Sequence, residues 1–110
     1  MSKGYVYLIV EGDENGKEKF KIGITKNDPN QRLKKLKTGN SNELEILRIY
    51  ESENYKKIEK WLHGKYATKK TLAKNEFFNL SNEEVLNFIN DCKEIDKIIT
   101  YLKKENPFYK

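Results

Sequence analysis

The sequence predicts an α+β fold: a small, mainly antiparallel, three-stranded sheet flanked by helices, with an extra helix or helices at the C-terminal end. Three observations predict it. Short segments of alternating apolar residues occupy residues 5–11 and 19–25, on either side of the turn-rich "GDENG". Further along, Tyr55, Ile58, Leu62 and Tyr66 recur at helical spacing. Helix-start signatures precede the helical stretches: Asp28-Pro29 ahead of the first, and Ser81 with Glu84 as a capping box ahead of the last.

The elements follow in order. Residues 5–11 and 19–25 read as two strands. A short helix starts at Asp28-Pro29, runs to about Lys37 and ends at Gly39. "LEILRIY", residues 44–50, reads as a third strand, and Ser52 as the cap of the helix carrying Tyr55 to Tyr66. "EFFNL", residues 76–80, reads as a short strand or extended segment. After Ser81, the apolar Val85, Leu86, Phe88, Ile89 and Cys92 continue through Ile95, Ile98, Ile99 and Leu102, as one long helix or two.

With 110 residues, no repeat, no proline-rich linker and no low-complexity tract, the chain reads as a single domain, 1–110. Hydrophobic residues at 36% against 35% charged place it among globular proteins and not disordered ones. The net charge of +5 suits a polyanionic partner. Of the 22 basic residues only Arg32 and Arg48 are arginines, so each invites a reason. One cysteine excludes a disulfide framework and a cysteine-rich zinc site. No apolar run reaches the roughly 20 residues of a membrane span, and the opening "GYVYLIV" lacks the basic lead-in of a signal peptide. The expected location is the cytoplasm, or the nucleus.

The first two strands constrain each other. Val6, Leu8 and Val10 share one face of the first, and Phe20, Ile22 and Ile24 one face of the second. Burying all six together requires opposed residues whose numbers add to an even sum. A two-residue Asn15-Gly16 turn gives an odd sum and mixes core with charge, so a longer loop is expected. The other face then carries Tyr5, Tyr7 and Ile9 beside Lys19, Lys21, Gly23 and Thr25. Gly23 there either admits a close approach by backbone or phosphate, or marks a bulge beside a solvated Lys21. Arg32 offers phosphate a planar fork of donors, or forms a surface salt bridge. Glu59 and His63, at i and i+4, share a helix face and either hold a hard cation such as Mg²⁺ or form a structural pair. Trp61 and Cys92 read as packing residues.

"GYVYLI", "FKIGIT", "QRLKKL" and a helix carrying "IEKWLH", in that order, resemble the GIY-YIG nuclease superfamily. The likeness is to the branch whose second motif reads KIG and which later carries an E-F/W-F triplet, here Glu76-Phe77-Phe78; that branch includes phage proteins and the fungal meiotically up-regulated family. It covers residues 4–80 as a catalytic core, leaving 81–105 as a C-terminal helical extension. The resemblance implies a divalent-metal-dependent endonuclease hydrolysing phosphodiester bonds in DNA, with Mg²⁺ or Mn²⁺ as cofactor. By position, Tyr7 would orient or deprotonate the attacking water, helped by Lys21. Arg32 would stabilise the transition state and Glu59 would bind the metal. Gly23, His63 and Glu76 would support the site, and Lys19, Lys26, Lys34, Lys35 and Lys37 would hold nucleic acid. Lys21 replaces the superfamily's second tyrosine, Leu36 stands where some members have a histidine, and the family asparagine has only Asn75 and Asn79 as candidates. With no separate DNA-binding domain in the sequence, the basic surface must suffice or a protein partner must supply specificity. The reading from a different class is a non-catalytic nucleic-acid- or protein-binding module on the same scaffold.

Overall fold

The alternating segments pair as the hydrophobic pattern requires. In the computed structural model, which describes residues 2–12, 16–38, 43–70, 77–106 and 108, β1 (Gly4–Gly12) and β2 (Glu18–Thr25) are antiparallel. Tyr7 opposes Gly23, Leu8 opposes Ile22 and Val10 opposes Phe20, the even-sum register. The last pair is Gly12 with Glu18, so the connection runs through residues 13–17 and not through a two-residue turn.

The remaining elements are α1 (Pro29–Lys37), β3 (Glu43–Ser52), α2 (Tyr55–Lys65), a 3₁₀ turn at Ala67–Lys69, β4 (Phe77–Phe78), α3 (Asn82–Leu86) and α4 (Phe88–Glu105). Among the described residues the sheet has four strands, one more than expected, in the order β3-β1-β2-β4. The fourth is the Phe77–Phe78 pair, laid against Phe20 and Lys21 of β2. The expected helix end at Gly39, together with Asn75 and Glu76, lies outside the described residues.

Successive strand residues face opposite ways, and both faces of this sheet are covered. Val6, Leu8, Phe20 and Ile22 pack with Ile58, Leu62 and Tyr66 of α2 and its end, with Phe78, and with Phe88, Cys92, Ile95 and Ile99 of α4. Tyr7 and Ile9, on the other face, form a second cluster with Leu44, against which Leu33, Leu36 and Ile46 pack. The face that carries Tyr7 is therefore largely a small core. Leu33 and Leu36 of α1 seal it, leaving Tyr7 only 1% exposed.

Several local expectations change for identifiable reasons. Ser52 does not cap α2: β3 extends through it, and its hydroxyl accepts from the Asn54 amide (2.9 Å) while donating to Asp96 (3.0 Å). Asn54 holds the cap position without a side-chain cap bond. The C-terminal apolar pattern is two helices, α3 opened by the Ser81–Glu84 capping box and α4 starting after Asn87. The break swings Leu86 out to 69% exposure. Trp61 is likewise exposed, whereas Cys92 is fully buried. The bulge lies in β3 and not at Gly23: the β1–β3 register shifts between Leu8 and Ile9, leaving Leu47 without an opposite number. Arg48 serves this bulge, donating from Nη1 to the Leu47 carbonyl at 2.8 Å.

Two carboxylates latch α4 to the rest. Asp96 accepts from Tyr50 Oη (2.7 Å), Ser52 Oγ (3.0 Å) and Asn54 Nδ2 (2.7 Å). Asp91 accepts from Tyr66 Oη (2.6 Å) and pairs with Lys65 (3.0 Å). Burial, then the bonded carboxylate, pushes both phenols far above the ordinary tyrosine range, so they stay donors. No helix among the described residues is long and apolar enough to cross a membrane.

Two substitutions probe this arrangement. A Cβ on Gly23 would sit 2.5 Å from Tyr7 Cζ, whereas one on Gly12 meets nothing within 4 Å. Gly23→Ala is therefore expected to cost about 1–3 kcal/mol in urea unfolding, and Gly12→Ala to stay within about 0.5 kcal/mol of the parent. Equal effects would disprove the close approach. Asp96→Ala strands three donors and should lower stability by about 2–3 kcal/mol, read as an earlier denaturation midpoint with unchanged slope.

Candidate active site

The pocket at the open edge of β2 is built by elements from both sides of the sheet. β4 pairs only with Phe20 and Lys21, so among the described residues β2 has no neighbouring strand beyond that point. There a pocket of about 230 Å³ is lined by Tyr7, Lys21, Ile22, Gly23, Ile24, Arg32, Glu59 and His63. Of the residues singled out in the sequence, Tyr7, Lys21, Gly23, Arg32, Glu59 and His63 all meet in it.

Each arrives for a local reason. Tyr7 is rooted in the small core, but its ring crosses the opposed Gly23, and the hydroxyl lies where a Gly23 Cβ would be. The absent side chain is thus a passage across β2 for a buried tyrosine to reach the edge. Lys21 is half-buried on the same face, with its ammonium 5.9 Å from the centre of the Phe77 ring. Arg32 is exposed on the first turns of α1, which Asp28 caps by accepting from the Asn30 amide at 3.0 Å. Of the chain's two arginines it alone lines this pocket.

Glu59 and His63 project one turn apart from α2. His63 Nε2 lies 3.0 Å from the Ile22 carbonyl, and its ring meets Phe78 edge-on at 5.1 Å. Burial holds the Glu59 carboxyl above the usual carboxylate range, while His63 and Lys21 nearby pull it back down. Glu59 is thus a half-buried carboxylate that shares its pocket with Lys21 and His63.

Among the described residues no three His, Cys, Asp or Glu side chains gather into a metal cage. What the pocket presents is one carboxylate with one imidazole beside it. That donor set fits a cation that retains waters and takes further ligands from substrate phosphates, as Mg²⁺ commonly does.

The basic residues distribute unevenly. Lys26 follows β2 directly, and Lys34 and Lys35 are exposed on α1. Lys19 stands opposite Glu11 in the β1–β2 pairing. Lys37, at the far end of α1, lines a different pocket with Glu18, Glu43 and Glu45 around Gly12. Glu76 falls outside the described residues.

Sequence reading missed the Ile22 carbonyl, a backbone group with no letter of its own, and the part of Phe78 as a wall for His63. The "EFF" segment gave the only signal for the latter, since a strand there had to land beside β2.

Residues 4–93 match the model of the T5orf172 domain, well into α4 and past the 4–80 span on which the motifs lie. Searches of curated proteins and of solved structures gave no match. With most of its length covered by that match, the chain belongs to the T5orf172 domain family, a phage-associated group related to nuclease-type domains.

Proposed function

We propose that the protein is a GIY-YIG-type endonuclease that hydrolyses phosphodiester bonds in DNA with a divalent cation, Mg²⁺ or Mn²⁺. The observation that carries this reading is the meeting of Tyr7, Lys21, Arg32 and Glu59 in one pocket from four separate elements. Membership of a nuclease-related family supports it. So does the acid itself: a surface that only bound phosphate would gain nothing from a half-buried glutamate facing it.

The residues divide the work by their chemistry. The Tyr7 hydroxyl, fixed by its buried ring and by Gly23, orients the attacking water. The guanidinium of Arg32 grips nonbridging phosphate oxygens and stabilises the extra negative charge of the five-coordinate transition state. Lys21 adds positive charge to the same pocket, near Glu59. Glu59 would hold the cation, which would supply Lewis-acid neutralisation of the charge on the leaving group. Lys19, Lys26, Lys34 and Lys35 supply non-specific attraction for the flanking backbone, with a protein partner adding specificity where it is needed.

Glu59→Gln tests the assignment by two readouts. Metal-dependent nicking of plasmid DNA should fall about 10²-fold or more, because the lost interaction is worth several kcal/mol in the transition state. Stability should move the other way. Since burial raises the Glu59 pKa in the folded state, the ionised form costs stability at pH above both the folded and unfolded values, and that cost is absent once the pH falls below the unfolded value. At pH 7 the neutral Glu59→Gln variant should therefore unfold at a higher temperature than the parent. Arg32→Ala should weaken both binding and cleavage, cleavage more. A Glu59→Gln protein that cuts like the parent would remove Glu59 from the mechanism. A parent that cuts no nucleic acid with Mg²⁺, Mn²⁺ or Co²⁺ would leave the binding module as the better reading.

Binding has its own signature. Affinity for DNA should drop steeply as salt rises from about 50 to about 200 mM, with little dependence on sequence, because phosphate contacts dominate. Strict sequence specificity, or indifference to salt, would contradict it.

A further inference from the structure

We propose that His63 is a second protein ligand of the cation held at Glu59, binding through Nδ1; the inference rests on the reading of Glu59 as the metal carboxylate. The argument starts from the Ile22 carbonyl. A carbonyl oxygen only accepts, so His63 Nε2, 3.0 Å away, is the nitrogen that carries the proton. In the neutral ring the lone pair is then on Nδ1. Metal-bound histidines commonly have their other ring N–H fixed in this way by a backbone carbonyl or a carboxylate, which sets the tautomer and raises ligand basicity. Phe78, edge-on at 5.1 Å, further restrains the ring. Glu59 stands one turn earlier on the same helix face, and both residues line the same pocket.

The tether has a structural logic. Among the described residues β2 has no strand partner on its β4 side from Ile22 onward, and the Ile22 carbonyl meets a side chain from α2 instead. The imidazole is thereby anchored to the strand that also carries Lys21 and Gly23. A site of one carboxylate and one imidazole discriminates among metals. Imidazole favours transition ions over Mg²⁺, so Zn²⁺ and Co²⁺ should bind more tightly than Mn²⁺, and Mn²⁺ more tightly than Mg²⁺.

His63 is the only histidine in the chain, which makes its ring nitrogens directly assignable by NMR of the ¹⁵N-labelled protein. The metal-free protein should show the Nε2–H tautomer. Titration with Zn²⁺ should shift Nδ1 while Nε2 keeps its proton. By calorimetry, His63→Gln, which keeps a donor for the Ile22 carbonyl, should bind Zn²⁺ and Mn²⁺ about tenfold or more weakly, with the fold checked by circular dichroism. Glu59→Gln should also weaken binding and abolish most of the Nδ1 shift. Zn²⁺ binding that needs Glu59 but leaves Nδ1 unmoved would overturn the inference and leave the Glu59 assignment intact. An Nδ1 shift that is undiminished in Glu59→Gln would place the imidazole in a separate surface site and also overturn it. Absence of any Zn²⁺ or Mn²⁺ binding by the parent would overturn both.

Discussion

The pairing of β1 with β2 in a register that sets Tyr7 across from Gly23 is the constraint from which the rest of the molecule follows. A slip of one residue would turn every side chain of one strand to the opposite face. It would bury Lys21 and expose Ile22, and the large core beneath α2 and α4 would lose one wall. The same register gives Tyr7 the one neighbour over which its ring can pass. Core formation and site formation are thus a single geometric choice.

The sheet is a partition with a helix layer on either side, and the pocket lies where the partition ends. α1 closes one face with Leu33 and Leu36, and brings Arg32 to the edge. α2 closes the other with Ile58 and Leu62, and brings Glu59 and His63 to the same edge. Among the described residues β4 is two residues long, and on that side β2 has no strand neighbour beyond Lys21. Edge strands are ordinarily a hazard because their backbone groups invite pairing. Here the His63 ring occupies one such group, the Ile22 carbonyl.

The buried and half-buried carboxylates are of two kinds. Asp91 and Asp96 are carboxylates whose charge is used up by hydroxyl and amide donors, tying α4 to α2 and β3. Glu59 is a carboxylate of the other kind, raised by burial and only partly relieved by His63 and Lys21. The first kind stabilises the fold, and the second costs stability at neutral pH. The contrast is between carboxylates bonded to neutral donors and one held in a pocket at the edge of the sheet.

The sequence by itself determined whatever depends on period and local chemistry. Alternation fixed which residues of β1 and β2 face the core, and even parity excluded the tempting Asn15-Gly16 turn. Asp28-Pro29 and the Ser81–Glu84 box marked helix starts through bonds made within a few residues. The ordered motifs pointed to Tyr7, Gly23, Arg32 and Glu59. Tertiary structure decided what depends on partners distant in sequence. Ser52 looked like a cap because its reach to Asp96, 44 residues on, leaves no local trace. Nothing in β1 announces that α1 covers the face of Tyr7. Gly23 looked like a bulge or a landing place for phosphate; the approaching group was the ring of its cross-strand partner. Local signals are read from neighbours in the chain, whereas a site assembled from four elements exists only once packing has chosen which faces meet.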